Sequence, residues 1–324
     1  MDARHPRRLC RMEFRPRLRL IGKISTVSST DQKPIYGSAP STQTTPRAAK
    51  VTVPSIRNRK GTDKKVLCLT AYDYPSARLV DEAGFDLILV GDSMANVVLG
   101  HASTLKISLE QIISATRAVK RGADRPLIVA DMPYGTYHIS AEDTIRNGLR
   151  LVREGGAQAV KIEGGVARAK TVKALVEADI PVLGHIGLLP QSTNTRGGYR
   201  ISGRTVESAR ALLEDALAIQ DAGAFAVVLE GVPEAVATRI SERLEIPTIG
   251  IGAGDGCDGQ ILVFHDALGL SFGPAPRFVK RYANLADMAR KALSELANDM
   301  GTGCFPTSEN TYPTHEELPD NWDQ

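Results

Sequence analysis

Four cysteines in 324 residues are too few and too scattered to organise this chain. Cys10, Cys68, Cys257 and Cys304 form no CxxC pair, which excludes paired-thiolate zinc sites and a disulfide framework. A reducing compartment is therefore expected. Long apolar runs are missing as well. Leu87–Val90 and Ile246–Ile251 fall far short of the roughly 20 residues a membrane span needs, so no membrane partner is expected. No strand-like run is followed by a GxGxxG opening a helix, which removes the usual sign of a dinucleotide-binding open sheet. Glycine (29) and proline (18) stand at ordinary levels, and a collagen-like or low-complexity chain is excluded.

What is present is a globular composition, 42% hydrophobic and 24% charged, in a chain long enough for a large core. The net charge of +3 is a sum over two unlike parts. Residues 1–50 carry eleven basic and three acidic residues, a net of +8, which leaves −5 for residues 51–324. A mildly acidic folded part argues against a nucleic-acid partner, which calls for a basic patch on the domain itself. The leader holds Arg4, Arg7, Arg8, Arg11, Arg15, Arg17 and Arg19, interspersed with Leu9, Met12, Phe14, Leu18 and Leu20. A Ser/Thr/Pro/Gln stretch then runs to about Arg47. That is the composition of a mitochondrial transit peptide, and no uninterrupted apolar region follows to make a secretory signal. Mitochondrial localisation is expected, with the cytoplasm as the alternative. The expected organisation is a leader over 1–50, one catalytic domain over 51–301 and a flexible acidic tail over 302–324.

From Val66 onward a unit repeats: a short apolar run, a polar loop, an amphipathic helical stretch. The runs are Val66–Thr70, Leu87–Val90, Leu127–Ala130, Ala159–Ile162, Val182–His185, Ala226–Leu229 and Thr248–Ile251. Helical stretches are expected over 76–83, 108–121, 141–154, 167–177, 206–222, 234–243 and 286–300. Continuous apolar strands separated by helices mean a parallel sheet covered on its faces. Glycines 84, 156 and 223 fit C-caps that close helix–strand loops. Seven strands, with an eighth placed near 277–279, have the size and rhythm of an α/β (β/α)8 TIM barrel. A Rossmann-like open sheet is the alternative. The Gly250–Gly254 run is read as a tight strand exit beside a site.

In a barrel, catalytic groups come from the C-terminal ends of different strands. Five consecutive strand ends here carry Asp92, Asp131, Lys161 with Glu163, His185 and Glu230. Any one alone reads equally as a cap, a turn former or a solvated rim residue. Together, four carboxylates against one lysine need a cation, or a proton on one of them. Asp92, Asp131 and Glu163 are hard oxygen ligands and suit Mg²⁺ rather than Zn²⁺. Lys161 lies two residues from Glu163 on one strand, so both can face inward and the ammonium can meet an anionic oxygen. Glu230 can act as a proton acceptor.

Several ordered segments carry a family resemblance. These are Thr70-Ala-Tyr-Asp-Tyr, Val90-Gly-Asp-Ser-Met, Gly100-His-Ala-Ser-Thr-Leu, Val160-Lys-Ile-Glu-Gly-Gly, Gly184-His-Ile-Gly-Leu-Leu-Pro-Gln-Ser, Gly197-Gly-Tyr, and Ile249-Gly-Ile-Gly-Ala-Gly with Asp258-Gly-Gln. From about Val66 to Val279 the chain resembles the ketopantoate hydroxymethyltransferase family of the phosphoenolpyruvate/pyruvate barrel superfamily. The resemblance implies transfer of a hydroxymethyl group from 5,10-methylenetetrahydrofolate to 3-methyl-2-oxobutanoate, giving 2-dehydropantoate in pantothenate biosynthesis through a Mg²⁺-stabilised enolate. It implies Mg²⁺ on Asp92, Asp131 and Glu163, and the 2-oxo acid on Asp92, Ser93, Asp131 and Lys161. It implies Glu230 as the catalytic proton acceptor, and a homo-oligomer, decameric in the family. His185 matches a site-lining histidine and reads equally as a buried structural one. The chain departs from the family pattern at Ala95, Ala102 and Lys106, none of them in the carboxylate set. Two alternatives are a Mg²⁺-dependent carbon–carbon lyase of the superfamily and a non-catalytic scaffold relative. The first usually carries a Lys-Lys-Cys-Gly-His motif, absent here; the second predicts loss of a rim residue, and all are present.

Overall fold

Period-two alternation along the apolar runs decides which side chains meet inside the sheet. In a computed structural model, describing residues 49–198, 201–314, 318–319 and 321–323, eight parallel strands close in sequence order into a barrel. The strands are β1 (Val66–Thr70), β2 (Leu87–Val90), β3 (Leu127–Asp131), β4 (Ala159–Glu163), β5 (Val182–Gly187), β6 (Ala226–Glu230), β7 (Thr248–Ile251) and β8 (Gly259–Leu262). Seven begin where the sequence places them, and β3 to β6 continue one or two residues further, through the polar rim positions. Residues 1–48, which hold nearly all of the leader with its expected import signal, and parts of the tail lie outside the described residues.

The eighth strand is a correction. It lies at Gly259–Leu262, not near 277–279, and joins β7 to β1 through the pairs Ile249↔Gly259 and Val66↔Gly259. The segment is short, and only two of its four residues are apolar, so no hydrophobic run marks it. Its glycine is needed for closure: a Cβ at Gly259 would stand 2.5 Å from the Val66 carbonyl oxygen and 2.8 Å from Ile249 Cδ1.

Helices α1 (Val53–Arg57), α2 (Tyr74–Glu82), α3 (Met94–Val97), α4 (Leu109–Gly122), α5 (Ala141–Arg150), α6 (Ala169–Glu177), α7 (Thr193–Arg196), α8 (Val206–Asp221), α9 (Glu234–Arg243) and α10 (Phe264–Ala267) accompany the strands. Local chemistry sets several starts. In α4, Ser108 Oγ accepts from Gln111 N at 3.2 Å and Gln111 Oε1 accepts from Ser108 N at 2.8 Å, a reciprocal cap. The expected helix over 141–154 ends its regular turns at Arg150 and widens into a π turn, Leu151–Gly155, which buries Leu151 completely. Gly84, Gly156 and Gly223 adopt the left-handed conformation expected of them.

Two apolar layers result. One lies between strands and helices, with Ile88, Ile112, Val160, Leu175 and Ile219 fully buried. The other fills the barrel with Val66, Leu87, Leu127, Val129, Ala159, Leu183, Ala226, Val228 and Ile249, and Ile56 of α1 packs into it from the N-terminal end. The same parity continued toward the C-terminal end turns Asp131, Lys161, Glu163, His185 and Glu230 inward. The barrel unit spans Ala48–Asp287. Of the second unit, most of α11 (Leu285–Thr302) and a 3₁₀ turn at Ser308–Asn310 are described.

Candidate active site

Strand register brings the rim residues together. Asp131 pairs with Lys161 across β3–β4, and Glu163 with His185 across β4–β5. Lys161 Nζ lies 2.6 Å from Asp131 Oδ1. Asp131 Oδ2 accepts from the Asp92 backbone N–H at 2.7 Å. His185 sits between two glutamates, Nδ1 3.4 Å from Glu163 Oε1 and Nε2 3.2 Å from Glu230 Oε2. Asp92, Asp131, Lys161, Glu163 and His185 are each at most 5% exposed. Only Glu230 is partly open to solvent. All six, with Ser93, line one cavity of about 750 Å³ at the mouth of the barrel. Ser93 Oγ is paired with Tyr72 Oη at 2.8 Å. Every rim residue singled out in the sequence is therefore in one place, and His185 lines the site as well as being buried.

The electrostatics are those of a crowded anionic pocket. Burial, then the neighbouring Asp131 and Glu163 charges, push the Asp92 carboxyl up to about 8. Burial disfavours the Lys161 charge, but Asp131, Glu163 and Asp92 outweigh it and hold the ammonium above its ordinary range. Burial and Lys161 disfavour protonation of His185, but Glu163 and Glu230 prevail and push it up to about 9. Burial would raise Glu163, and His185 with Lys161 brings it below the usual carboxylate range.

The fit to a divalent cation rests on the donor atoms. Among the described residues no group of three or more His, Cys, Asp and Glu side chains is already gathered around one point. The Lys161–Asp131 and His185–Glu163 contacts are ion pairs without hydrogen-bond alignment. Asp131 Oδ1 and Glu163 Oε1 are thus fully buried acceptors with no aligned partner. Two buried carboxylate oxygens that make ion contacts but no aligned hydrogen bond, beside an Asp92 carboxyl raised by burial and by like charges, form a site with unused acceptor capacity. Hard oxygen donors in that state suit a cation such as Mg²⁺.

Sequence reasoning missed Gln191, Tyr137 and Phe278. Gln191 N–H donates to Glu163 Oε2 at 2.9 Å, and its Nε2 donates to Asp92 Oδ2 at 3.0 Å. Its one signal was an amide in the otherwise apolar Leu188-Leu-Pro-Gln run. Phe278, placed in the expected eighth strand, instead covers Gly252 and lines the outer cavity with Val98 and Phe272. Of the three departures from the family pattern, Ala95 is buried beneath the site, Ala102 lines the cavity mouth and Lys106 is exposed outside it. Tyr199 of the Gly197-Gly-Tyr segment lies outside the described residues.

Known proteins resemble this chain over most of its length. The family model of ketopantoate hydroxymethyltransferase matches residues 50–308. A 3-methyl-2-oxobutanoate hydroxymethyltransferase of Pelobacter propionicus is 50% identical over 81% of this chain and 97% of its own. Those of Koribacter versatilis (47%, over 83% and 91%) and Nitratidesulfovibrio vulgaris (52%, over 81% and 85%) are similarly related. Among solved structures, a 2,3-dimethylmalate lyase of the PEP mutase/isocitrate lyase superfamily superposes with TM-score 0.54 at 19% identity, over 81% of this chain and 89% of its own. A phosphonopyruvate hydrolase in complex with oxalate and Mg²⁺ gives 0.53 at 14%, over 80% and 93%. At such identities these structures speak for the fold alone.

Proposed function

The chain belongs to the ketopantoate hydroxymethyltransferase family, and from that premise we propose how its rim performs the reaction. Its activity is that of a 3-methyl-2-oxobutanoate hydroxymethyltransferase. The observation that carries the residue assignment is the buried Lys161–Asp131 pair beside Asp92 and Glu163 at the mouth of one large cavity.

Asp92, Asp131 and Glu163 would hold Mg²⁺, which when bound supplies Lewis acidity and positive charge to the 2-oxo acid. Ser93, at the start of α3, would position the acid's oxygens beside Asp92. Lys161 presents a buried ammonium, fixed before the reaction starts, to the oxyanion that develops at C2 when C3 loses its proton. Glu230 stands on β6, four strands round the closed order from β2, and takes that proton. His185, 3.2 Å from its Oε2, orients it. C3 then bonds the one-carbon unit of 5,10-methylenetetrahydrofolate while both C–N bonds of that carbon break; tetrahydrofolate leaves with its nitrogens protonated, and water supplies the hydroxyl oxygen of 2-dehydropantoate. A cavity of about 750 Å³ exceeds what the small 2-oxo acid fills, and its outer part, with Val98, Phe272 and Phe278, suits a larger, flat co-substrate. The lyase alternative has no support in the pocket: among the described residues no cysteine lines it.

Turnover of the full chain with both substrates tests the reading, with Mg²⁺ present and then removed by chelator; turnover indifferent to chelation removes the metal. In Glu230→Gln, exchange of the C3 proton into deuterated solvent should fall about 10²- to 10⁴-fold with 2-oxo acid binding retained. Undiminished exchange removes Glu230 as the base.

Two further assignments are proposals of the same kind. A homo-oligomer, decameric as the family resemblance implies, is tested by light scattering. The basic leader, which precedes the family match, is proposed as an import signal. The relatives compared are bacterial and lend it no support. A native protein beginning near Val51 would bear it out, and one beginning at Met1 would not.

A further inference from the structure

Gln191 is 4% exposed, and every polar group of its side chain is engaged. Nε2 donates to Asp92 Oδ2 at 3.0 Å and to the Met132 carbonyl at 3.1 Å. The Met132 carbonyl only accepts, so the amide nitrogen must face it, and with it Asp92 Oδ2. The carbonyl end then faces Tyr137, whose hydroxyl donates to Oε1 at 2.7 Å. A reversed amide would set its oxygen against the Met132 carbonyl oxygen, which cannot donate, so the orientation has a single solution. The backbone N–H of the same residue holds Glu163 Oε2 at 2.9 Å. One residue of the β5 exit therefore ties the end of β2 to the end of β4, and Asp92 in turn holds Asp131 through its own N–H at 2.7 Å.

Tyr137 is itself fixed. Its ring lies 4.2 Å from that of His138, and the Arg168 guanidinium stands 5.6 Å over its face. Arg168 has room because the residue after Glu163 is glycine: Gly164 has φ +121°, and a Cβ there would come 2.6 Å from Arg168 Cγ.

We propose that Gln191, locked by Tyr137, is a positioning residue that fixes the Asp92 and Glu163 carboxylates in the orientation that receives a divalent cation. The inference rests on the reading that these carboxylates bind Mg²⁺. The chemistry of the clamp suits the task. The side-chain amide holds one Asp92 oxygen and the backbone N–H one Glu163 oxygen without neutralising either, whereas a lysine or arginine side chain in place of the glutamine would compete with the cation. Glu163 Oε1 is left buried and without an aligned partner.

The test is calorimetric titration of the full chain with Mg²⁺ in the presence of 3-methyl-2-oxobutanoate, with folding checked by thermal melting. Gln191→Met keeps the bulk and removes the side-chain hydrogen bonds; it should weaken Mg²⁺ binding about 10- to 100-fold. Tyr137→Phe, a milder change that retains the packed ring, should weaken it about 2- to 10-fold. Because Tyr137 acts through Gln191, Tyr137→Phe should cost nothing further in the Gln191→Met background. A merely structural pair would lower the melting temperature and leave the Mg²⁺ dissociation constant unchanged. Wild-type binding that both variants preserve overturns the clamp and leaves the metal reading standing. Additive losses overturn the relay through Gln191. A wild-type protein that binds no Mg²⁺ overturns the metal reading and the clamp with it.

Discussion

The two ends of this barrel treat a buried aspartate in opposite ways. At the N-terminal end Asp258 accepts from Lys60 Nζ at 2.9 Å, from Gly61 N at 3.0 Å, and from Thr248 N and Oγ1 at 2.8 and 3.0 Å. Burial alone would raise its carboxyl, but these donors, Lys60 foremost, hold it below the usual range. Nearby, Asp86 accepts from Leu67 N at 3.1 Å and from Arg125 Nη2 at 2.8 Å. At the C-terminal end Asp92 is buried among other carboxylates and pushed up to about 8. The difference lies in the partners. One end matches each carboxylate with its own donors and cations, and pins the α1 segment across the barrel floor. The other gathers four carboxylates around one lysine and one histidine and leaves two oxygens with ion contacts but no aligned hydrogen bond. A satisfied end stabilises the fold, and an unsatisfied one is poised to bind.

The comparison breaks most visibly with one substitution at the rim. Asp92→Asn should lower kcat/KM by about 10³-fold or more, since it removes charge needed in the transition state. Its melting temperature should stay level or rise, because it relieves like-charge crowding. A variant that is fully active but unstable would reverse the assignment of the two ends.

The matching change at the floor should do the opposite. Asp258→Ala leaves Lys60 and the Thr248 hydroxyl without their acceptor and should cost about 3 kcal/mol in denaturant unfolding. Turnover per folded molecule should change little. Wild-type stability would locate the anchor of α1 elsewhere.

Adding metal sharpens the contrast. Mg²⁺ at about 100 times its dissociation constant should stabilise the wild type by about 2.7 kcal/mol through binding to the native state alone. Thermal shift reads this directly, and Asp92→Asn should abolish it while Asp258→Ala should not.

The smallest effect is one of pH. The folded Asp258 carboxyl lies below its unfolded value, so its stabilisation is fully present above the ordinary aspartate range. It is lost as pH falls through the depressed folded value. Unfolding midpoints of wild type and Asp258→Asn should differ at neutral pH and converge on acidification. A constant gap would show that the hydrogen-bond geometry, and not ionisation, matters there.

Most of the architecture was legible because its signals are local. Seven apolar runs separated by capped helices leave few alternatives to a parallel closed sheet. Helix starts such as Ser108 carry their partner three residues away. The eighth strand escaped because Gly259–Leu262 offers too few apolar residues, and its glycine answers to Val66 and Ile249 rather than to its own neighbours. The rim residues Asp92, Asp131, Lys161, Glu163, His185 and Glu230 could be read because each sits at a strand end, where parity and position suffice. Gln191 could not, because its partners Glu163 and Asp92 lie 28 and 99 residues away.

The sequence by itself therefore determined the strand rhythm, the parity that turns the charged strand ends inward, and the ordered segments that mark the family. Those features depend on spacing along the chain. Only the tertiary structure decided which carboxylate is held by a lysine and which by an amide. It also decided that Asp258 is satisfied and Asp92 crowded. Both are buried aspartates in one chain, and their ionisation is set by groups that meet only when the barrel closes.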